Sequence, residues 1–218
     1  MKYSKIKLTF YQRYSLLTNP HFRNEMRVCC QIVISEFQKL KFYFGGLIKI
    51  ETKLIILRGN SGSGKTTIAK LLQKNLGEET LVVSQDIVRR EMLMVPDLQG
   101  NMSIELLKRI TEFGKGTCKV VILEGILKKQ VYEELLLDLV DYFDHHVYAY
   151  YFDLPFTETV ERHKLRSSAK EFGEERLNTW WIPSDQLGIN GEMMLTIDMS
   201  QQDIVDLILH QIKESSCS

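Results

Sequence analysis

A glycine-rich turn that follows an apolar run constrains this chain more than any other feature. Gly59-Asn60-Ser61-Gly62-Ser63-Gly64-Lys65-Thr66-Thr67 contains the spacing G-x-x-x-x-G-K-T. It follows Leu54-Ile55-Ile56-Leu57 and opens the helix-like stretch Thr66 to Leu76. Glycines free the backbone to curl, so that successive N–H groups point inward at phosphate oxygens. Lys65 can reach the β- and γ-phosphates of a nucleotide, and the Thr66 hydroxyl can ligate magnesium. The helix that follows aims its positive end at the same anion. The bland alternative is a Gly/Ser-rich turn with a solvated lysine, and the flanking run and helix argue against it.

From residue 52 onward, strand and helix patterns alternate. Leu54–Leu57, Leu81–Val83, Val120–Leu123, Val147–Phe152 and Met193–Ile197 are short apolar runs. Several are apolar without alternation, which suits strands covered on both faces. Ile68, Leu71, Leu72 and Leu76 recur at helical spacing, and Gly77 supplies a stop. Tyr132, Leu135, Leu136, Leu139, Val140 and Phe143 form a second stripe, and Ile204, Val205, Ile208 and Ile212 a third. Ser200-Gln201-Gln202-Asp203 before the third reads as a capping box with Asp in place of Glu/Gln. The alternation predicts an α/β fold, a parallel sheet sandwiched by helices. In such sheets ligands sit beyond the carboxyl ends of the strands.

Residues 1–50 stand apart. They carry nine Lys/Arg against two Asp/Glu, whereas the remainder carries nineteen against twenty-six. A basic arm on an acidic body suits a protein partner, the body itself, or plain solvation. Val33, Phe37, Leu40 and Phe44 have helical spacing, yet Phe42-Tyr43-Phe44 also suits a strand. The arm reads as an accessory element, a partner-binding segment, or sequence upstream of an internal start such as Met26. The expected organisation is an arm over 1–50 and a catalytic domain over 51–218. Cys29, Cys30, Cys118 and Cys217 show no disulfide or zinc spacing, which points to a reducing compartment. With no continuous apolar leader and no span long enough for a bilayer, the expected location is cytoplasmic, with no membrane partner.

The strand ends carry the other candidates. Asp86 follows Val82-Val83-Ser84-Gln85. It can take the proton of an attacking hydroxyl or orient magnesium through water, or it can cap the next helix. Arg89 and Arg90 can neutralise substrate or phosphate charge, or be solvated surface. Glu124 ends Val121-Ile122-Leu123 in the place of a Walker-B acid, with Glu where Asp is commoner. It can hold magnesium or contact substrate, and Gly125 lets the backbone pass close to a ligand. Arg162 and Arg166 share a helix face and can clamp a transferring phosphoryl group, or pair with acids such as Glu158. Ser167–Gln186 is polar enough for a mobile lid. Trp180 and Trp181 point to opposite sides, one to the core and one to a substrate, unless both pack inward. Met92 and Met94 read as core filling or as the wall of an apolar acceptor pocket.

Residues 52–213 resemble the P-loop kinase group, which includes nucleoside, gluconate and shikimate kinases, polynucleotide kinase, chloramphenicol phosphotransferase and the zeta toxins. The resemblance rests on residues 57–67, Ser84-Gln85-Asp86 with Arg89-Arg90, Leu123-Glu124-Gly125-Ile126-Leu127, and Arg162-His163-x-x-Arg166. Glu171-Phe172-Gly173, Trp180-Trp181 and Asp185-Gln186-Leu187-Gly188 are similar to a set of small bacterial kinase-like proteins. The resemblance implies a P-loop NTPase fold with a parallel core of about five strands, a requirement for ATP and Mg2+, and a lid that supplies arginines. By the same analogy Asp86 is the base, and Arg162 and Arg166 are the lid arginines.

The expected function is therefore an ATP-dependent kinase that moves the γ-phosphate to a hydroxyl of a small-molecule acceptor. Gly59 to Thr67 would hold ATP, Thr66 and Glu124 the metal, and Asp86, Arg89, Arg90 and Glu124 the acceptor. Lys65, Asp86, Arg162 and Arg166 would carry the transfer. Two alternatives stand beside it. One is a nucleotide-dependent binding module or switch with slow hydrolysis, using residues 1–50 toward a partner. The other is a kinase acting on nucleic-acid ends, disfavoured by the neutral net charge. No guanine-reading N-K-x-D is present, so ATP is expected over GTP.

Overall fold

The computed structural model describes residues 51–164 and 173–214. The chain divides into two units, Met1–Lys49 and Ile50–Ser218, and the fold below is that of the second. The readings made of residues 1–50, of Arg166 and of the first part of the lid lie outside the described residues.

In chain order the elements are β1 (Lys53–Gly59), α1 (Lys65–Leu76), β2 (Thr80–Ser84), a π-helical segment (Ile87–Met92) and α2 (Ser103–Gly114). There follow β3 (Val120–Glu124), α3 (Lys129–Tyr142), β4 (Val147–Phe152), α4 (Phe156–Lys164), α5 (Glu174–Trp180), β5 (Met193–Leu195) and α6 (Gln201–Glu214). The five strands form one sheet in the order β2-β3-β1-β4-β5. Every pairing is parallel. The sheet is therefore the expected five-stranded parallel core.

Alternation along β1 explains the layering. Leu54 and Ile56 face one side, where Leu107 of α2 and Tyr132, Leu135, Leu136 and Leu139 of α3 pack. Ile55 and Leu57 face the other, against Ile68, Ala69 and Leu72 of α1 and Ile204, Val205, Ile208 and Ile212 of α6. Because both faces are covered, the strand has no polar side, hence its unbroken apolar run. The chain leaves β1 toward the α1 face and leaves β3 toward the α3 face. The crevice between these adjacent strands is the switch point at which parallel sheets bind ligands. Register places Leu57 beside Glu124, and Glu124 beside Ser84. The carboxyl ends of β1, β3 and β2 thus share one edge.

Two local expectations change, and one helix is added. The last strand ends at Leu195, two residues short of the expected Ile197, which is exposed. Met92 and Met94 are exposed too, so neither fills the core. Helix α2, which the stripes above do not include, is marked by Leu107, Thr111 and Gly114 at helical spacing. Its start is fixed by Asn101, whose Oδ1 accepts from the Ser103 backbone N–H at 3.0 Å. Gly114 is required there, since a Cβ would lie 2.2 Å from Val121 Cγ2.

Candidate active site

The loop after β1 has the curl expected of an anion cradle. Gly59, Gly62 and Gly64 have φ of 139°, 86° and 102°, values that L side chains avoid. At Gly62 space forbids a side chain as well, because a Cβ would stand 2.6 Å from the Thr159 carbonyl oxygen. Gly64 is the N-cap of α1 and offers no side chain to its first turn. The helix N-terminus thus keeps its backbone donors for an anion. Lys65 is buried, and its ammonium donates to Asn60 O at 2.7 Å and to Ser63 Oγ at 3.1 Å. The cation is thereby held over the loop.

Thr66 and Glu124 meet. The Thr66 hydroxyl donates to Glu124 Oε2 at 3.2 Å, and Glu124 is buried at the end of β3. Two hard oxygens side by side fit a magnesium ion, which binds through one or two protein oxygens and takes the rest from phosphates and water. Gly125 has another reason than close approach of a ligand. A Cβ there would strike the Gln85 side chain at 2.5 Å. Gln85 is buried, and its Oε1 accepts from the N–H groups of Ile126 at 3.0 Å and Leu127 at 3.3 Å. Its Nε2 donates to Asp97 Oδ1 at 3.2 Å and Tyr132 Oη at 2.9 Å. Tyr132 Oη donates to Asp97 Oδ1 at 2.7 Å. Burial, aided by the bond to Asp97, pushes the Tyr132 hydroxyl up to about 12. Gln85 and Asp97 were not among the sequence candidates; nothing local marks residues whose role is to tie two strand ends together.

Asp86 stands exposed at the end of β2, and its side chain makes no cap bond. Arg89 Nη2 and Arg90 Nε both bind its Oδ1, at 3.0 and 3.2 Å. No hydrogen bond to its Oδ2 occurs among the described residues. Arg162 reaches the loop: its Nη1 donates to Ser63 O at 3.1 Å, while its Nε donates to Glu158 at 2.6 Å. The surface pair with Glu158 therefore forms, and the other side of the guanidinium rests on the loop backbone. His163 is buried on α4.

The segment after α5 is joined to the loop by Asn60. Its Nδ2 donates to Ile182 O at 2.7 Å, and its Oδ1 accepts from Ile182 N–H at 2.9 Å. Farther on, Asp185 and Glu192 pair with the fully buried Arg58 at 3.3 and 3.2 Å. Both tryptophans are partly buried and have different neighbours. Trp181 packs edge-on to Phe156 at 5.8 Å, and Trp180 carries the Arg176 guanidinium 5.5 Å above its ring. Beside the loop lies a cavity of about 560 Å³ bounded by Gly62, Gly64, Thr67, Arg162 and residues 197–201. The connection from β5 to α6, another wall missed in the sequence, closes it because it leads from the sheet edge to a helix packed on the α1 side.

A family model described as "AAA domain" matches residues 54–182. Among solved structures, a gluconokinase from Sinorhizobium meliloti 1021 is 13% identical, with a TM-score of 0.54 over 77% of this chain and 94% of that one. The Mycobacterium tuberculosis APS kinase CysC, in complex with AMPPNP and APS, is 20% identical, with a TM-score of 0.55 over 74% and 98%. A Deinococcus radiodurans tunicamycin resistance protein is 12% identical, with a TM-score of 0.52 over 74% and 96%. No curated protein matches. No helix among the described residues is long and apolar enough to cross a membrane. With its phosphate loop, strand order and matched residues, the chain belongs to the AAA domain family and has the fold of the P-loop kinase group.

Proposed function

We propose that the protein is an ATP-dependent phosphotransferase that moves the γ-phosphate to a hydroxyl of a small acceptor. One observation carries this reading: Asp86 follows the strand end at which Ser84 pairs with Glu124, Arg89 and Arg90 hold it through Oδ1, and its Oδ2 has no hydrogen bond among the described residues. A switch that only binds nucleotide needs the loop alone, whereas a carboxylate tethered on the neighbouring strand adds a proton acceptor for an attacking hydroxyl.

The chain's own groups divide the work. Loop N–H groups and Lys65 bind the triphosphate, and Thr66 and Glu124 hold magnesium, which when bound offsets phosphate charge. Arg89 and Arg90 fix Asp86 through Oδ1, leaving Oδ2 to take the acceptor's hydroxyl proton. The acceptor oxygen bonds to the γ-phosphorus as the bond to the β–γ bridging oxygen breaks, and ADP leaves. Arg162, already on the loop backbone, stabilises charge on the passing phosphoryl group. Arg166 and the segment around 167–186 are proposed to close over it and exclude water. Residues 1–50 are proposed as a separate arm, and the reaction needs none of them.

A second reading draws on the Asn60–Ile182 clasp. Through it, occupancy of the loop could order the lid for a protein partner, making the chain a nucleotide-dependent switch. The test is to incubate the protein with Mg-ATP and a metabolite pool and to seek phosphorylated products by mass spectrometry. Wild type should yield a product, Lys65→Ala none, and Asp86→Asn none despite nearly intact ATP binding. Normal transfer by the Asn variant overturns the base. Slow hydrolysis that no acceptor changes favours the switch.

A further inference from the structure

A second cavity, of about 480 Å³, opens on the Arg89–Arg90 side of Asp86. Its walls include four cationic side chains, Arg89, Arg90, Lys128 and Arg176, with Trp180 and Asp97. They come from four places in the chain: the π-helical segment, the loop before α2, the turn before α3, and α5. The fold, and not a local run of basic residues, assembles them.

Charge within this group does not balance. Asp86 serves both arginines through a single oxygen. Asp97 is the carboxylate for Lys128, at 3.4 Å, and its Oδ1 is already engaged by Tyr132 and Gln85. Arg89 is only 11% exposed, yet its Nε is buried without a hydrogen-bond partner, 4.0 Å from Asp97 Oδ1. Arg176 has no ion pair among the described residues; it rests on the Trp180 ring, which positions a guanidinium without neutralising it. Two carboxylates thus answer four cations. Arg90, 45% exposed, and Arg176 face solvent, but Arg89 and Lys128 are largely buried, at 11% and 20% exposure, so the cluster reaches from the surface into the cavity wall. A concave wall with a surplus of positive charge concentrates anions, and guanidinium forks match oxyanions in shape as well as charge.

Resting on the phosphotransferase reading, we infer that this cavity seats the acceptor, and that the acceptor carries an oxyanion, phosphate or carboxylate, besides the hydroxyl it presents to Asp86. The oxyanion lies between Lys128 and Arg176, and the hydroxyl points toward Asp86 Oδ2. A neutral sugar or nucleoside would leave the surplus positive charge unanswered, so the site selects against it.

The experiment uses the full chain, with its phosphate loop saturated by a non-hydrolysable ATP analogue and magnesium. Inorganic phosphate and acetate are then titrated separately by calorimetry. At least one of them should bind once per chain, more weakly as salt is raised. With Lys128→Gln and Arg176→Gln combined, that affinity should fall at least about tenfold, as loss of two charge-assisted contacts requires. Affinity for the ATP analogue, measured on the same variant, should stay unchanged and serves as the check on folding. Phosphate binding identifies a phosphorylated acceptor, and acetate binding alone a carboxylate. If the analogue binds but neither anion does, or if the variant binds anion as well as wild type, the inference is overturned and the phosphotransferase reading survives. If the analogue itself fails to bind, the phosphotransferase reading fails and this inference falls with it.

Discussion

Gly62 shows how a single position can be fixed twice. Its φ of 86° disfavours any side chain, and the Thr159 carbonyl occupies the place a Cβ would take. The left-handed backbone alone costs an L-residue roughly 1–2 kcal/mol. The 2.6 Å approach adds to that or pushes α4, with Arg162, away from the loop. Gly62→Ala should therefore weaken Mg-ATP binding by at least about tenfold, since each 1.4 kcal/mol is one decade. Calorimetric titration checks this, and wild-type affinity in the variant would remove the loop from nucleotide binding. Gly125 teaches the opposite lesson. A sequence offers the same letter at both places, but Gly125 has no positive φ and is fixed by space alone, against the Gln85 side chain.

Among the elements, α6 has the most explicit start signal. Ser200 N–H donates to Asp203 Oδ2 at 3.0 Å, and Asp203 N–H donates to Ser200 Oγ at 3.2 Å. Both halves of the capping box form, with Asp doing what Glu or Gln usually does. The bonds from Ser200 hold the Asp203 carboxyl below its ordinary value of 3.8. A depressed carboxylate contributes stability that is fully present above the unfolded value and is lost as pH falls through the folded one. Acid melting curves should show it: stability falls below about pH 4 in wild type, and Asp203→Asn, lower at neutral pH, should lose less over the same range. Equal slopes for the two proteins would mean the box does not bear on stability. Because α6 walls the cavity beside the loop, the same box also anchors the end of the 197–201 segment that lines that cavity.

At the scale of the molecule, buried tyrosines link the two helical layers to the sheet. Tyr132 of α3 is tied to Gln85 and Asp97, and burial raises it to about 12. Burial also raises Tyr150 and Tyr151 of β4. A raised pKa keeps the neutral form in the fold, so its contribution is complete below the unfolded value of 10.0 and is lost as pH climbs through the folded one. The urea midpoint should thus hold up to about pH 10 and fall between 10 and 12. Tyr132→Phe should cost about 1–3 kcal/mol at neutral pH by leaving buried partners unsatisfied, and should shallow the alkaline decline. An unchanged alkaline limb in that variant would assign the effect elsewhere.

Local signals in the sequence determined the phosphate loop, the five parallel strands, three helical stripes and the capping box. Each of those signals lies within a few neighbouring residues: a glycine pattern, an apolar run, a 3.6-residue spacing, a Ser-x-x-Asp. The sequence also placed Asp86 and Glu124 at strand ends, because in a parallel sheet the carboxyl end of every strand faces the same edge. Only the tertiary structure decided what those residues touch. It paired Thr66 with Glu124 and turned Asp86 from helix cap to arginine partner. It joined Asn60 to Ile182 and gathered Arg89, Arg90, Lys128 and Arg176 around one cavity. Those contacts join residues up to 122 positions apart. They depend on strand order and on which face each helix crosses, and no window of sequence contains either.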